Sequence, residues 1–365
     1  MARPMNLLAA LRQLACQGLP GKAALPEALG LLRQLVGFDS EVAVYVDERH
    51  RLVDMHVPPH VDLAHVHLYA SHFYDRPDDE IVATRRHVVD GSRRVMRLSD
   101  RLGRAAMERT ELWDRVLRPY EMGWTCLMPL HDGPRPLACL MLTRPFARHD
   151  FKAPELRLLE QAQPWLNHAI AGAPADAAEP PSASEAVESG MLILDGAGQL
   201  VHSSAGALRL LHLAMGEPLT AHRPGHVTRG QAEGLWRRLS QAAFAAATGH
   251  GTVLPAGSVR NAHGYFGWRA YALDAHVPGA GTHVALHVER RLPLAAQLFR
   301  APRFLALPAR ERDVALALAH GRSREQTAAA LGIAPSSVIH ATRSLYRRLN
   351  VSQAQDVAAA LLRPA

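Results

Sequence analysis

The residues between Pro335 and Leu349 divide cleanly by what they could do. Val338, Ala341, Leu345 and Leu349 recur at spacings of three, four and four, one continuous apolar stripe of a helix. Ser336, Ser337, Ile339, His340, Thr342, Arg343, Tyr346 and Arg347 lie off that stripe. Small hydroxyls near a helix N-terminus can approach phosphate oxygens or base edges, and a guanidinium can hold a phosphate or read guanine. From Leu307 to the C-terminus, eight arginines stand against four acids, a surplus of the sign that a phosphate-binding surface requires. The chemistry expected of this stretch is recognition of double-stranded DNA.

Four short helical patterns must hold that face. Pro308 stands where a first helical position falls, with Glu311 and Asp313 in the first turn, and the pattern runs to about His320 before Gly321. Ser323 can cap a second helix that stops at Gly332. Ala334 precedes a third, Pro335 opens it, and Asn350 can close it in the left-handed conformation. Ser352 opens a fourth, with Val357, Ala360 and Leu361 facing inward. Two short helices joined through Gly332-Ile333-Ala334-Pro335 make a helix-turn-helix, whose second helix enters the major groove. On periodicity alone, a helical subdomain with a solvated charged face stays open beside this reading.

The order and spacing of the pieces resemble the LuxR-type helix-turn-helix. They are Leu307-Pro-Ala-Arg-Glu-Arg-Asp-Val, Ala319-His-Gly-Arg-Ser, Ala328-Ala-Ala-Leu-Gly-Ile, Ser337-Val and Leu345-Tyr-Arg-Arg-Leu-Asn-Val. The resemblance implies a transcriptional regulator that contacts DNA through Arg324, Gln326, Ser336, Ser337, Ile339, His340, Thr342, Arg343 and Arg347. It implies a homodimer, with the fourth helix as dimer contact. The sequence also departs from the family: Ile339 stands where a Lys is usual, Ala341 where a His is usual, Thr342 where a basic residue is frequent, and Gln326-Thr327 replaces a Glu-Ile pair. Loss of the Lys removes a phosphate contact, so binding is expected to be weaker or to lean more on dimerisation. It also motivates an alternative, a ligand- or protein-binding modulator that heterodimerises with a related regulator and binds DNA weakly.

The 365 residues allow two or three domains, and a hydrophobic fraction of 48% supplies proper cores. The net charge of +7 fits a nucleic-acid partner, and with only Lys22 and Lys152 as lysines almost all of the positive charge is arginine. The three cysteines form no CxxC pair, which points to a reducing, cytoplasmic compartment. Residues 1–18 have helical apolar spacing without the core of a signal peptide, and no apolar run approaches the roughly 18 residues that span a membrane. The sequence contains no GxxxxGK[ST], GxSxG or HExxH, and no GxGxxG following a strand, so neither an enzyme nor a cofactor is expected.

The expected architecture is multi-domain: two α+β sensor domains with antiparallel sheets, followed by the all-α four-helix helix-turn-helix domain. Residues 1–172 read as helices (6–16 and 24–36), two strands (41–46 and 52–56), a mixed insert, a hairpin (124–131 and 137–143) and a long helix from 151 to 171. Met122-Gly-Trp-Thr-Cys-Leu-Met-Pro-Leu, Leu137-Ala-Cys-Leu-Met-Leu and Pro145-Phe-Ala-Arg-His-Asp-Phe resemble a GAF domain. Residues 173–188, rich in Pro, Ala, Ser and acids, read as a linker. Residues 189–290 read as two strands, helices including 227–248, and strands at 251–254, 265–273 and 282–288. Their opening, Gly190-Met-Leu-Ile-Leu-Asp-Gly-Ala-Gly-Gln-Leu-Val-His-Ser-Ser, resembles a PAS domain. A connector at 291–303 leads into the DNA-binding domain at 304–365.

Such sensor modules imply a small-molecule effector. Candidate pocket residues are Trp113, Tyr120 and Trp124 in the first domain and Tyr265, Trp268 and Tyr271 in the second, against the ordinary alternative of core aromatics. His56, His60, His65, His67 and His72 form a loose cluster that metal or haem could use, with scattered core and surface histidines as the plainer reading. Cys126 and Cys139 fall on the two hairpin strands, where they could neighbour each other and report oxidation, or be buried apolar side chains.

Overall fold

The computed structural model describes residues 4–76, 78–83, 85, 93–172, 186–195, 199–222, 245, 256–273 and 283–363. The helix expected at 227–248 and the strand expected at 251–254 lie outside the described residues, save for the single helical residue 245. The chain divides into two compact units that do not follow chain order. One, the helical unit, gathers Met1–Gly37, Arg157–Ser184 and Leu292–Ala365; the other, the sheet unit, gathers Phe38–Leu156 and Glu185–Arg291.

The sheet unit holds two five-stranded antiparallel sheets. The first comprises β1 (Ser40–Val46), β2 (Leu52–His56), β3 (Met96–Arg97), β4 (Trp124–Asp132) and β5 (Arg135–Arg144), in the order β2-β1-β5-β4-β3. The second comprises β6 (Ala186–Leu194), β7 (Leu200–Ser203), β8 (Ala256–Asn261), β9 (Gly264–Leu273) and β10 (His283–Arg291), in the order β7-β6-β10-β9-β8. The second sheet thus repeats the strand order of the first. Every residue of β1, a strand inside the sheet, is buried. The β4–β5 hairpin turns at Gly133, whose φ of +54° is open to a residue without a side chain. β6 begins at Ala186, inside the stretch expected as linker, because Glu188 is held there by Arg209 and Arg290.

The two halves of the sheet unit share one apolar core. Val44, Phe73, Leu127 and Cys139 belong to the same buried cluster as Leu192, Leu210, Phe266 and Leu286. A polar tie reinforces it: fully buried Asp54 of β2 accepts hydrogen bonds from the Met55 and Leu219 amides, each at 2.8 Å.

The first helices, in chain order, are α1 (Pro4–Ala15) and α2 (Gly21–Val36), both in the helical unit. The sheet unit contributes α3 (Leu63–Leu68), which continues as a π-helical turn over Tyr69–Phe73, and α4 (Arg104–Met107). Then come α5 (Ala153–Ala171) and α6 (Ala207–Met215). Of α5, Leu159, Ala162, Leu166 and Ala169 are buried, at the spacings of one helix face.

The C-terminal helices are α7 (Leu294–Leu298), α8 (Pro302–Leu305), α9 (Ala309–Ala319), α10 (Arg324–Leu331), α11 (Pro335–Leu349) and α12 (Gln355–Leu362). The connector expected at 291–303 is therefore partly helical. α9 packs against α10, α11 and α12, and Val314, Leu318, Ala328, Val338, Leu345, Val357 and Leu361 of these helices are buried. α1 packs on α2, α8 and α9. Among the described residues, no helix is long and apolar enough to cross a membrane.

Candidate functional site

Three short connections aim α11. Pro308 is the N-cap of α9, one position earlier than expected, and Gly321 leaves that helix with a φ of +74°. Ser323 and Gln326 then close a capping box: the Ser323 hydroxyl accepts from the Gln326 amide at 3.2 Å, and Gln326 Oε1 accepts from the Ser323 amide at 2.9 Å. Gly332 ends α10 in the left-handed region, Ala334 is the N-cap of α11, and Pro335 is its first residue. Asn350, with φ 53° and ψ 50°, terminates α11 as its side-chain chemistry permits. The fourth helix begins at Gln355 rather than Ser352.

On α11, Ser336, His340, Arg343 and Arg347 are exposed, and Ser337 and Ile339 are half-buried. Arg324, at the start of α10, is exposed. Gln326 is also exposed, but its carbonyl oxygen is engaged in the capping box. Thr342, expected on the outward face, is instead 1% exposed, and its Oγ1 has no hydrogen-bond partner. The inward stripe is Val338, Thr342 and Leu345, with Ala341 and Leu349 at its edges. The buried face takes in Thr342 and leaves Ala341 and Leu349, both expected inside it, half-buried. Arg348 is turned back to the scaffold: its Nε lies 3.5 Å from Glu311 Oε2, while the Ser344 hydroxyl donates to Glu311 Oε1 at 3.0 Å. The exposed guanidiniums of α11 are thus those of Arg343 and Arg347, together with the more tethered Arg348.

The six aromatics expected to line pockets are not brought together. Trp113 and Trp124 flank the Phe146 ring at 5.0 and 4.9 Å, and the Trp124 indole donates to the Arg148 carbonyl at 2.9 Å. The space that Trp124 borders is about 10 Å³, too small for a ligand. The Tyr120 hydroxyl accepts from the Asp62 amide and lies 2.9 Å from His65 Nδ1. On β9, Trp268 packs against the shared core with Phe266 and Ala270, whereas Tyr265 and Tyr271 point to the opposite face. Tyr265 lies under the Arg260 guanidinium, 5.1 Å from it, and Tyr271 is 40% exposed. Strand alternation therefore prevents these three from lining one cavity.

Cys126 and Cys139 are both buried and free, but they do not face each other: Cys126 pairs with Leu142 and Cys139 with Pro129. Their odd offset puts them on opposite faces of the sheet. Burial raises both thiol pKa values, that of Cys139 to about 11, so neither carries the thiolate that oxidation sensing needs. Of the loose histidine group, His60 and His65 both lie against the Tyr120 ring, at 6.1 and 5.3 Å. His65 meets Tyr120, His72 lies 3.0 Å from Arg76, and half-buried His56 is pushed down to about 3 by desolvation and by nearby Arg209 and Arg290. Among the described residues, no group of three His, Cys, Asp or Glu side chains is placed to hold a metal ion.

Sequence reasoning missed a different polar group. His212 of α6 is fully buried, with Nε2 3.2 Å from His222 Nδ1 and Nδ1 3.3 Å from Glu217 Oε2. Burial and the neighbouring His222 push His212 down to about 4. His222 forms one wall of an open cleft of about 380 Å³, together with Arg51, His67, Ser71, Tyr74 and Thr220. The only sequence signal was a histidine inside the apolar run Leu210-Leu211-His212-Leu213.

No family model and no curated protein matches the chain. Solved structures of partial likeness include the following two. The sensor region of a sensor histidine kinase matches at 19% identity and a TM-score of 0.21 over 46% of this chain, which spans 63% of that structure, less than two thirds of it. A phage VqmA-DPO complex matches at 16% identity and a TM-score of 0.22, covering 47% of this chain and 79% of that one.

Proposed function

We propose that the chain is a sequence-specific DNA-binding transcription regulator in which α10 and α11 are a LuxR-type helix-turn-helix. One observation carries the reading: α11 buries Val338, Thr342 and Leu345 while leaving Ser336, His340, Arg343 and Arg347 exposed along a single helix. Ser336 stands in the first turn, where unpaired backbone amides favour phosphate oxygens. Arg343 and Arg347 lie four residues apart, on the same side of the helix. One short helix contacts few base pairs, so the protein acts as a homodimer on paired half-sites. The GAF-like and PAS-like halves of the sheet unit sense a small-molecule effector, for which the cleft beside His222 is the candidate site. The reading assigns no enzymatic step.

The test is selection of duplexes from a random pool by the full-length protein at physiological salt, followed by binding of the winner across a salt series. Arg343→Ala is expected to lose about 1–3 kcal/mol on the selected duplex and to relax preference at one position. Arg347→Ala is expected to weaken binding to all duplexes and to lower the salt slope by about 1. Equal losses on specific and random DNA for both variants would sink this division. A second reading, a modulator that heterodimerises with a related regulator, is favoured by half-buried, apolar Ile339 on the DNA-facing side. It would show as a folded protein that enriches no sequence alone but does so once mixed with a regulator of the same type.

A further inference from the structure

Arg312 is the largest fully buried side chain in the described residues, and a buried guanidinium must find partners for its fixed fork of donors. It sits on α9, yet most of its partners come from the other end of the sequence. Its Nε donates to Gln13 Oε1 at 2.7 Å, Nη1 to Asn6 Oδ1 at 2.5 Å, and Nη2 to the Asn6 carbonyl at 3.0 Å. The remaining bonds go to the Leu307 and Leu305 carbonyls, at 2.8 and 3.4 Å, in the turn that leads into α9.

The two amides of α1 answer in the opposite sense. Gln13 Nε2 donates to the Ala309 carbonyl at 2.8 Å and to Asp313 Oδ1 at 2.6 Å, and Asn6 Nδ2 donates to the Leu305 carbonyl at 2.8 Å. Each amide therefore uses its oxygen on Arg312 and its nitrogen on the backbone or acid beside it. Flipping either amide would set donor against donor. A separate tie repeats the pattern: Arg300 Nε donates at 2.5 Å to Glu27 of α2, whose side chain is 1% exposed.

We propose that α1 is an integral helix of the DNA-binding unit, and that Asn6 and Gln13, acting through Arg312, are positioning residues that fix α9 and hence α11. The part that concerns DNA rests on the reading of α11 as the contact helix. α9 is the element against which α10, α11 and α12 all pack, so its first turn sets the ground on which the exposed face of α11 stands. None of the three latch residues lies on that face. The N-terminal segment thereby gains leverage over DNA binding without touching DNA.

The experiment compares the full-length protein with Asn6→Ala/Gln13→Ala and Arg312→Lys by hydrogen exchange and by binding to the selected duplex. The double variant is expected to speed exchange of the 309–319 amides by about tenfold or more, with the sheet-unit peptides unchanged. It is expected to weaken the selected duplex by about tenfold, although every exposed α11 residue is intact. Lysine, with one nitrogen in place of a planar fork, is expected to behave like the double variant. Wild-type exchange over 309–319 in the double variant would overturn the latch. Faster exchange with undiminished DNA affinity would overturn the positioning role. If the double variant does not fold, Gln13→Glu decides: it keeps the acceptor for Arg312 but loses the donor to Ala309 and Asp313. Faster exchange confined to the first turn of α9 supports the latch, and unchanged exchange overturns it. A wild-type protein that selects no duplex would refute the DNA reading alone, because the exchange measurement does not depend on it.

Discussion

The Thr342 hydroxyl is buried with no partner, and an orphaned buried polar group of this kind costs about 1–3 kcal/mol. Valine has nearly the same shape and lacks the oxygen. Thr342→Val is therefore expected to raise stability by roughly 1 kcal/mol and leave DNA affinity unchanged, as read by urea unfolding and by titration of the selected duplex. A loss of affinity would return Thr342 to the contact face. Arg343 and Arg347 belong to the opposite class. Exposed and turned to solvent, their removal should barely alter stability. Stability and binding thus separate along α11 residue by residue.

At the scale of elements, the turn between α9 and α10 uses one hydroxyl to cap α10. Ser323 satisfies the Gln326 amide, and the Gln326 side chain satisfies the Ser323 amide; Ser323→Ala removes the first bond and leaves the second. The loss should be about 1 kcal/mol of stability, concentrated in α10, and visible as faster exchange of the first amides of that helix. If those amides exchange at the wild-type rate, the box is not what orders the turn. This element was legible in the sequence because capping chemistry is local: Ser323, Gly332, Pro335 and Asn350 each act within a few residues. The strands β1, β2, β4 and β5 were legible for the same reason, through β-branched and apolar runs bounded by turn residues. β8 was not. Its sequence Ala256-Gly-Ser-Val-Arg-Asn carries a single large apolar residue, and it is an edge strand laid against β9, with Gly257 opposite the Trp268 ring. A Cβ at Gly257 would come within 2.6 Å of that ring, so the glycine reports a neighbour in space that the local sequence does not contain. Tyr265, Trp268 and Tyr271 lie on one strand, and strand parity keeps the three from sharing a face. The Arg312 latch joins residues about 300 positions apart, and no local pattern could reveal it.

For the whole molecule, the grouping of the chain has a thermodynamic consequence. Sequence reasoning expects two α+β sensor domains in succession; the two antiparallel sheets are present, and residues from both segments contribute to one core. His56 of the first segment lies near Arg209 and Arg290 of the second, and Asp54 of the first accepts the Leu219 amide of the second. The two sheets should therefore unfold as one cooperative body. Acid provides the test. His212 has its pKa lowered from 6.5 to about 4, so between those values the unfolded chain binds more protons than the folded one. The stability linked to neutral His212 is full above about pH 6.5, falls as the pH drops, and is gone near pH 4. The loss is on the order of 3 kcal/mol. His56, lowered to about 3, extends the trend further into acid. With 5-fluorotryptophan incorporated, the resonances of Trp113 and Trp124 report the first sheet and that of Trp268 the second. On acid titration in moderate urea, all three are expected to shift at one midpoint. His212→Leu should flatten the pH dependence of that midpoint for both sheets, although His212 belongs to the second segment alone. Separate midpoints would mean that the common core does not couple them.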